Sequence, residues 1–67
     1  MFAEIGNLVE LSYLGLDWNK LSILPKEIGN LTKLVLVYLN DNQLSELPKE
    51  ICNWTQIKEL KLNNNNL

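Results

Sequence analysis

Serine can act as a nucleophile only when a neighbouring base takes its proton. This chain carries Ser12, Ser22 and Ser45 but no histidine to serve any of them. A single cysteine, Cys52, rules out an intramolecular disulfide. Zinc would have to combine that one thiolate with carboxylates, a poor tetrahedral set. No histidine or metal motif lies near Cys52 to support a redox role, so it reads as a small inert residue. The carboxylates are scattered, and no glycine-rich phosphate loop occurs. The expectation is a protein without catalysis, cofactor or metal.

What remains is a set of side chains suited to recognition and to turns: Tyr13, Trp18 and Tyr38, and many asparagines. The charge balance is mixed, with six Lys+Arg against eight Asp+Glu and a net charge of −2. Phosphate contacts dominate nucleic-acid affinity, and dispersed lysines make no basic patch for them. Apolar residues come in short bursts, far from the ~20 in a row that a membrane span needs. The start, Met1-Phe2-Ala3-Glu4, lacks the basic and apolar regions of a signal peptide. Together with the lack of disulfides this points to a reducing, cytoplasmic setting.

The elements that position these residues follow from a repeat. Shifted by 23 residues, the chain falls on itself. Leu8-Val9-Glu10-Leu11 meets Leu31-Thr32-Lys33-Leu34 and then Trp54-Thr55-Gln56-Ile57. Leu14-Gly15-Leu16 meets Val37-Tyr38-Leu39 and Leu60-Lys61-Leu62, and Leu24-Pro25-Lys26-Glu27-Ile28-Gly29-Asn30 meets Leu47-Pro48-Lys49-Glu50-Ile51-Cys52-Asn53. Nothing lies outside the period. It divides one domain, 1–67, into a partial copy (1–7), two full copies (8–30 and 31–53) and a second partial copy (54–67).

Each copy reads as one coil of chain. Tyr13-Leu14-Gly15-Leu16-Asp17 alternates like a half-buried strand, and tandem copies set such strands side by side and parallel. Asn19, Asn42 and Asn65 stand where the chain leaves the strand. There an asparagine side chain can satisfy backbone groups that a tight turn leaves unpaired, so the three are expected to form a structural ladder. Pro25 and Pro48 open segments too short for more than about one turn, which predicts 3₁₀ geometry. Glu27 and Glu50 fall early in them, where a helix dipole favours negative charge. Asn30-Leu31-Thr32 and Asn53-Trp54-Thr55 fit the glycosylation sequon, but the repeat accounts for these residues without it.

These copies resemble the leucine-rich-repeat family, whose conserved segment is L-x-x-L-x-L-x-x-N-x-L. Here it reads Leu11 to Leu21, then Leu34 to Leu44 with Val37 at one leucine site, then Ile57 to Leu67. The L-P-x-x-I part resembles the 23-residue class of Ras-group-related intracellular and bacterial repeat proteins. The departures, Trp54 and Ile57, are apolar and suit a core. The resemblance implies an α/β, right-handed solenoid. About three short parallel strands would line its concave face, with short 3₁₀ or helical turns on the convex side. The concave face of this family usually binds protein.

By the same resemblance, the variable positions of the conserved segment face the concave side: Tyr13, Gly15, Asp17 and Trp18, then Leu36, Tyr38, Asn40 and Asp41. Glu59, Lys61, Asn63 and Asn64 follow in the third copy. Tyr13, Trp18, Leu36 and Tyr38 would form an aromatic and aliphatic cluster, and Asp17, Asn40 and Asn63 a polar column. Tryptophan and tyrosine dominate binding hot spots, yet they also suit an exposed strand for its own sake. The expected partner is a protein. Self-association is the alternative, because each coil of a solenoid buries its face on the next and a stack of about three coils is short. Head-to-tail stacking or pairing of the last strand, Glu59 to Leu62, would cover the open faces.

Overall fold

A computed structural model describes residues 1–67. It runs as alternating 3₁₀ turns and strands: a turn at Ala3–Asn7, strand β1 at Tyr13–Gly15, a turn at Lys26–Asn30, β2 at Leu36–Tyr38, a turn at Lys49–Asn53 and β3 at Glu59–Lys61. The three strands form one parallel sheet in chain order. Tyr13, Leu36 and Glu59 are in register, and so are Gly15, Tyr38 and Lys61. The chain is thus a short solenoid, one coil per repeat, with the sheet on one side and the 3₁₀ turns on the other. No helix is long and apolar enough to cross a membrane.

Backbone pairing between coils continues well past the strands. Val35 donates to the Ser12 carbonyl at 2.7 Å, Leu16 to Tyr38 at 2.8 Å, Trp18 to Asn40 at 3.1 Å and Gln43 to Leu21 at 2.7 Å. These bonds hold each coil to the next from just before the strand to the turn beyond it, so the apolar side chains of one coil must meet those of its neighbour.

Burial follows from having neighbours on both sides. Ile28, Leu31, Leu34, Val37, Leu39 and Leu44, all from the middle of the stack, are fully buried. Their counterparts one coil away, such as Leu8 at 52% and Leu67 at 58% exposure, are not. Trp54 is buried where the other coils have leucine, and its indole N–H donates to the Ile28 carbonyl at 3.0 Å. A buried indole needs such a partner, and the bond ties the start of the last copy to the 3₁₀ turn at Lys26–Asn30.

The 3₁₀ turns start one residue later than the prolines suggest. Pro25 and Pro48 take the extended N-cap position (ψ 150° and 142°) rather than the first turn itself. Each proline carbonyl accepts the first turn bond, from Ile28 and Ile51.

Glycine here serves close packing between turns. A Cβ built on Gly29 would lie 2.6 Å from both the Cβ and the carbonyl oxygen of Glu50. On Gly6 it would lie 2.8 Å from the Glu27 carbonyl oxygen. No glycine has positive φ, so space and not backbone freedom explains these two. Cys52 occupies the same place in the third turn and is exposed. Its Cβ stands where a coil packed in the same way would put its glutamate.

Candidate functional site: the exposed sheet face

The sheet face is built from residues that alternate with the core leucines. Tyr13, 54% exposed, and Tyr38, half-buried, meet edge to face with ring centroids 5.5 Å apart. Gly15 makes this possible: a Cβ there would lie 2.9 Å from the Tyr13 hydroxyl, so the Tyr13 ring leans across bare backbone. Leu36 sits half-buried beside Tyr13 in the register. Trp18, 76% exposed, lies in the turn that directly follows β1 and takes part in no aromatic pair. The rings that meet on the sheet are thus Tyr13 and Tyr38, with Trp18 an exposed indole just beyond the strand.

The Tyr38 hydroxyl donates to Glu59 Oε1 at 2.6 Å, and Glu59 Oε2 faces Lys61 at 3.8 Å. Tyr38 is pushed above the ordinary phenol value of 10.0, first by that hydrogen bond and then by desolvation. The negative charge of Glu59, and further charge at Tyr13 and Asp17, adds to it. A neutral Tyr38 can donate to the carboxylate, while an ionised one would repel it.

Asp17, Asn40 and Asn63 form a column that is partly committed to holding the coils. Asp17 Oδ1 accepts the Asn40 backbone N–H at 2.7 Å, and Asn40 Oδ1 accepts that of Asn63 at 2.8 Å. One oxygen of Asp17 and that of Asn40 are thus engaged with the next coil. Three short acceptors in phase at positions 17, 40 and 63 were the signal for this second ladder in the sequence.

The turn asparagines differ sharply from one another. Asn42, buried, accepts from the N–H groups of Asn19 and Leu21 and donates to the carbonyls of Leu16, Leu39 and Asn40. Asn65 accepts from Leu44 and donates to Leu39, Leu62 and Asn63. Asn19 is exposed, and its side chain donates only to Asp17. Asn42 and Asn65 reach back one coil, whereas the Asn19 side chain bonds within its own turn.

Trp18, Asp41 and Asn64 share left-handed backbone, with φ of 62°, 60° and 60°. Asn and Asp tolerate that region, whereas a bulky residue there is an outlier. Asn64 Nδ2 donates to Asp41 Oδ1 at 2.8 Å, so side chains at this position touch from coil to coil. An apolar hollow lies elsewhere. About 480 Å³ opens at the first coil, lined by Met1, Phe2, Ile5, Leu8, Leu16 and Leu21, the apolar positions that another coil covers further along the stack.

A family model described as "leucine-rich repeat region" matches residues 1–67. Among solved structures, a leucine-rich-repeat protein of Leptospira interrogans matches with a TM-score of 0.91 at 45% identity, over 97% of this chain. The match covers 17% of that protein, so the chain spans about a sixth of its length. No curated protein matches.

Proposed function

The chain belongs to the leucine-rich-repeat family, and from that premise we propose that it is a protein-interaction module whose partner seats on the concave sheet face. The observation that carries this reading is Trp18. An indole is 76% exposed and held in left-handed backbone, at a position where the other coils place Asp41 and Asn64. Such strain costs on the order of 1–3 kcal/mol and concentrates at functional sites. Stability alone favours asparagine there, which supports a role for the tryptophan in contacts outside the chain. Around it we assign Tyr13, Asp17, Leu36, Tyr38, Asn40, Asp41, Glu59, Lys61 and Asn63 to the same face. The ladder of Asn19, Asn42 and Asn65 serves the fold.

Selection of binding peptides from a random display library, followed by affinity measurement on Trp18→Asn and Tyr13→Ala, tests the assignment. Peptides that bind the face lose most of their affinity in both variants. Peptides that bind all three proteins equally would place recognition elsewhere.

A second reading, association of coils with those of another copy, is supported by the apolar hollow at the first coil. The Cβ of Cys52 weighs against its head-to-tail form, because Glu4 of a second copy would take the place that Glu50 takes on Gly29. Sedimentation equilibrium over a range of concentrations decides it: a mass that rises with concentration supports this reading, and a constant monomer mass removes it.

A further inference from the structure

We infer that the partner segment held at Trp18 is cationic, with a lysine or arginine side chain over the indole and its charge between Asp17 and Asp41. This rests on the concave-face reading above and adds the chemistry of the partner to it.

The repeat supplies the geometry. Positions 41 and 64 have the same backbone conformation as position 18, and their side chains are within hydrogen-bond distance. One coil earlier, position 18 stands to position 41 as 41 stands to 64, so the repeat places Trp18 and Asp41 at the same point of neighbouring coils. Backbone pairing agrees, since the Trp18 N–H donates to the Asn40 carbonyl just before Asp41. Asp17 precedes Trp18 and spends one carboxylate oxygen on the Asn40 N–H, leaving the other free. Asp41 likewise spends one oxygen on Asn64. Trp18 thus has one carboxylate next to it in the chain and another at the same place in the next coil, each with unused acceptor capacity.

Charge over the rest of the face has the same sign. Its ionic residues are Asp17, Asp41 and Glu59 against Lys61, and Lys61 is drawn to Glu59. The Tyr38 phenol is raised first by its hydrogen bond to Glu59 and by desolvation, and the charges of Glu59, Tyr13 and Asp17 add smaller contributions. An aromatic face attracts a cation through its quadrupole, most strongly for tryptophan and most often for arginine. Neighbouring carboxylates add Coulomb attraction and steer a positive segment to the face. An acidic segment would meet repulsion at Asp17, Asp41 and Glu59.

The chain itself names the variant that tests this. Asparagine already stands at positions 40, 63 and 64. A double variant, Asp17→Asn with Asp41→Asn, therefore removes the charge while keeping acceptors and turn preference that the fold already uses. Its thermal unfolding is expected to match the unsubstituted chain. The probes are an arginine–glycine decapeptide, its serine–glycine and glutamate–glycine counterparts, and the peptides selected from the library. Binding is read as a change in tryptophan emission that is lost in Trp18→Asn, the other indole, Trp54, being buried away from the face.

The expected result is enrichment of lysine and arginine among selected peptides and binding of the arginine probe alone. Affinity should fall about threefold or more in the double variant and weaken as salt is raised. Glu27→Gln, on the 3₁₀ side, should leave it unchanged. Selected peptides that need Trp18 but are neutral, or that keep their affinity in the double variant, would overturn the cationic partner and leave the concave-face reading intact. Peptides indifferent to Trp18→Asn, or no peptide at all, would overturn both.

Discussion

At the scale of single residues, chemically identical side chains do unequal work. Asn42 satisfies two N–H groups and three carbonyls within the stack, while Asn19 reaches one exposed carbonyl. Leaving buried backbone groups unpaired costs about 1–3 kcal/mol. Asn42→Ala is therefore expected to lower stability by about 3 kcal/mol and Asn19→Ala by well under 1 kcal/mol, with Asn65→Ala between them. Urea unfolding midpoints give the order. Trp18→Asn should act in the opposite sense and raise the midpoint, because it relieves left-handed strain at an exposed site. A lowered midpoint would show that the indole packs on the fold.

Tyr38 supplies a pH dependence at the same scale. Its folded value lies above 10.0. The folded state therefore keeps a proton that an unfolded tyrosine has already released. Its contribution to stability is full below pH 10.0 and is lost as pH rises through the folded value. In a Tyr13→Phe background, phenolate absorbance reports Tyr38 alone. Its midpoint should lie above 10.0 and move back toward it in Glu59→Ala, which removes the leading cause.

At the scale of elements, the tight stacking of the 3₁₀ turns depends on two glycines that are crowded by backbone. Gly29→Ala would drive a methyl to 2.6 Å from the Glu50 carbonyl oxygen, and Gly6→Ala to 2.8 Å from that of Glu27. Overpacking of this kind costs about 1–3 kcal/mol. Calorimetry should show both variants melting earlier, Gly29→Ala more so. Gly15→Ala is a useful contrast: the obstructing atoms belong to the movable Tyr13 ring. Its melting should change little while the face it displaces loses peptide binding.

At the scale of the whole molecule, stability comes from each coil having a neighbour, and the two ends of the stack are not equivalent. The first coil presents an apolar hollow. The third turn presents the Cys52 side chain where Gly6 and Gly29 leave a seat for the next glutamate. Cys52→Gly restores that seat. It is expected to raise the weight-average mass at a given concentration in sedimentation equilibrium. Equal masses for the two proteins would mean that the Cβ is not what limits stacking.

The sequence by itself determined the coil. A 23-residue period of leucines, with proline and asparagine in phase, admits one solution in which apolar positions stack and strands run parallel. It carried the 3₁₀ turns as well, since a proline-opened segment of a few residues has room for no more. Tertiary structure decided what each copy of a motif does. Residues at one place in the repeat have the same local conformation, but burial and bonding depend on the coils to either side. That is why Asn42 and Asn19 diverge and why Gly29 is crowded by Glu50. It is also why Asp17 and Asn40 hold backbone as well as face solvent. The left-handed turn at Trp18 belongs to the same class. Nothing in the residue type predicts it, and it is imposed by the geometry that the asparagine and aspartate of the other coils accept without strain.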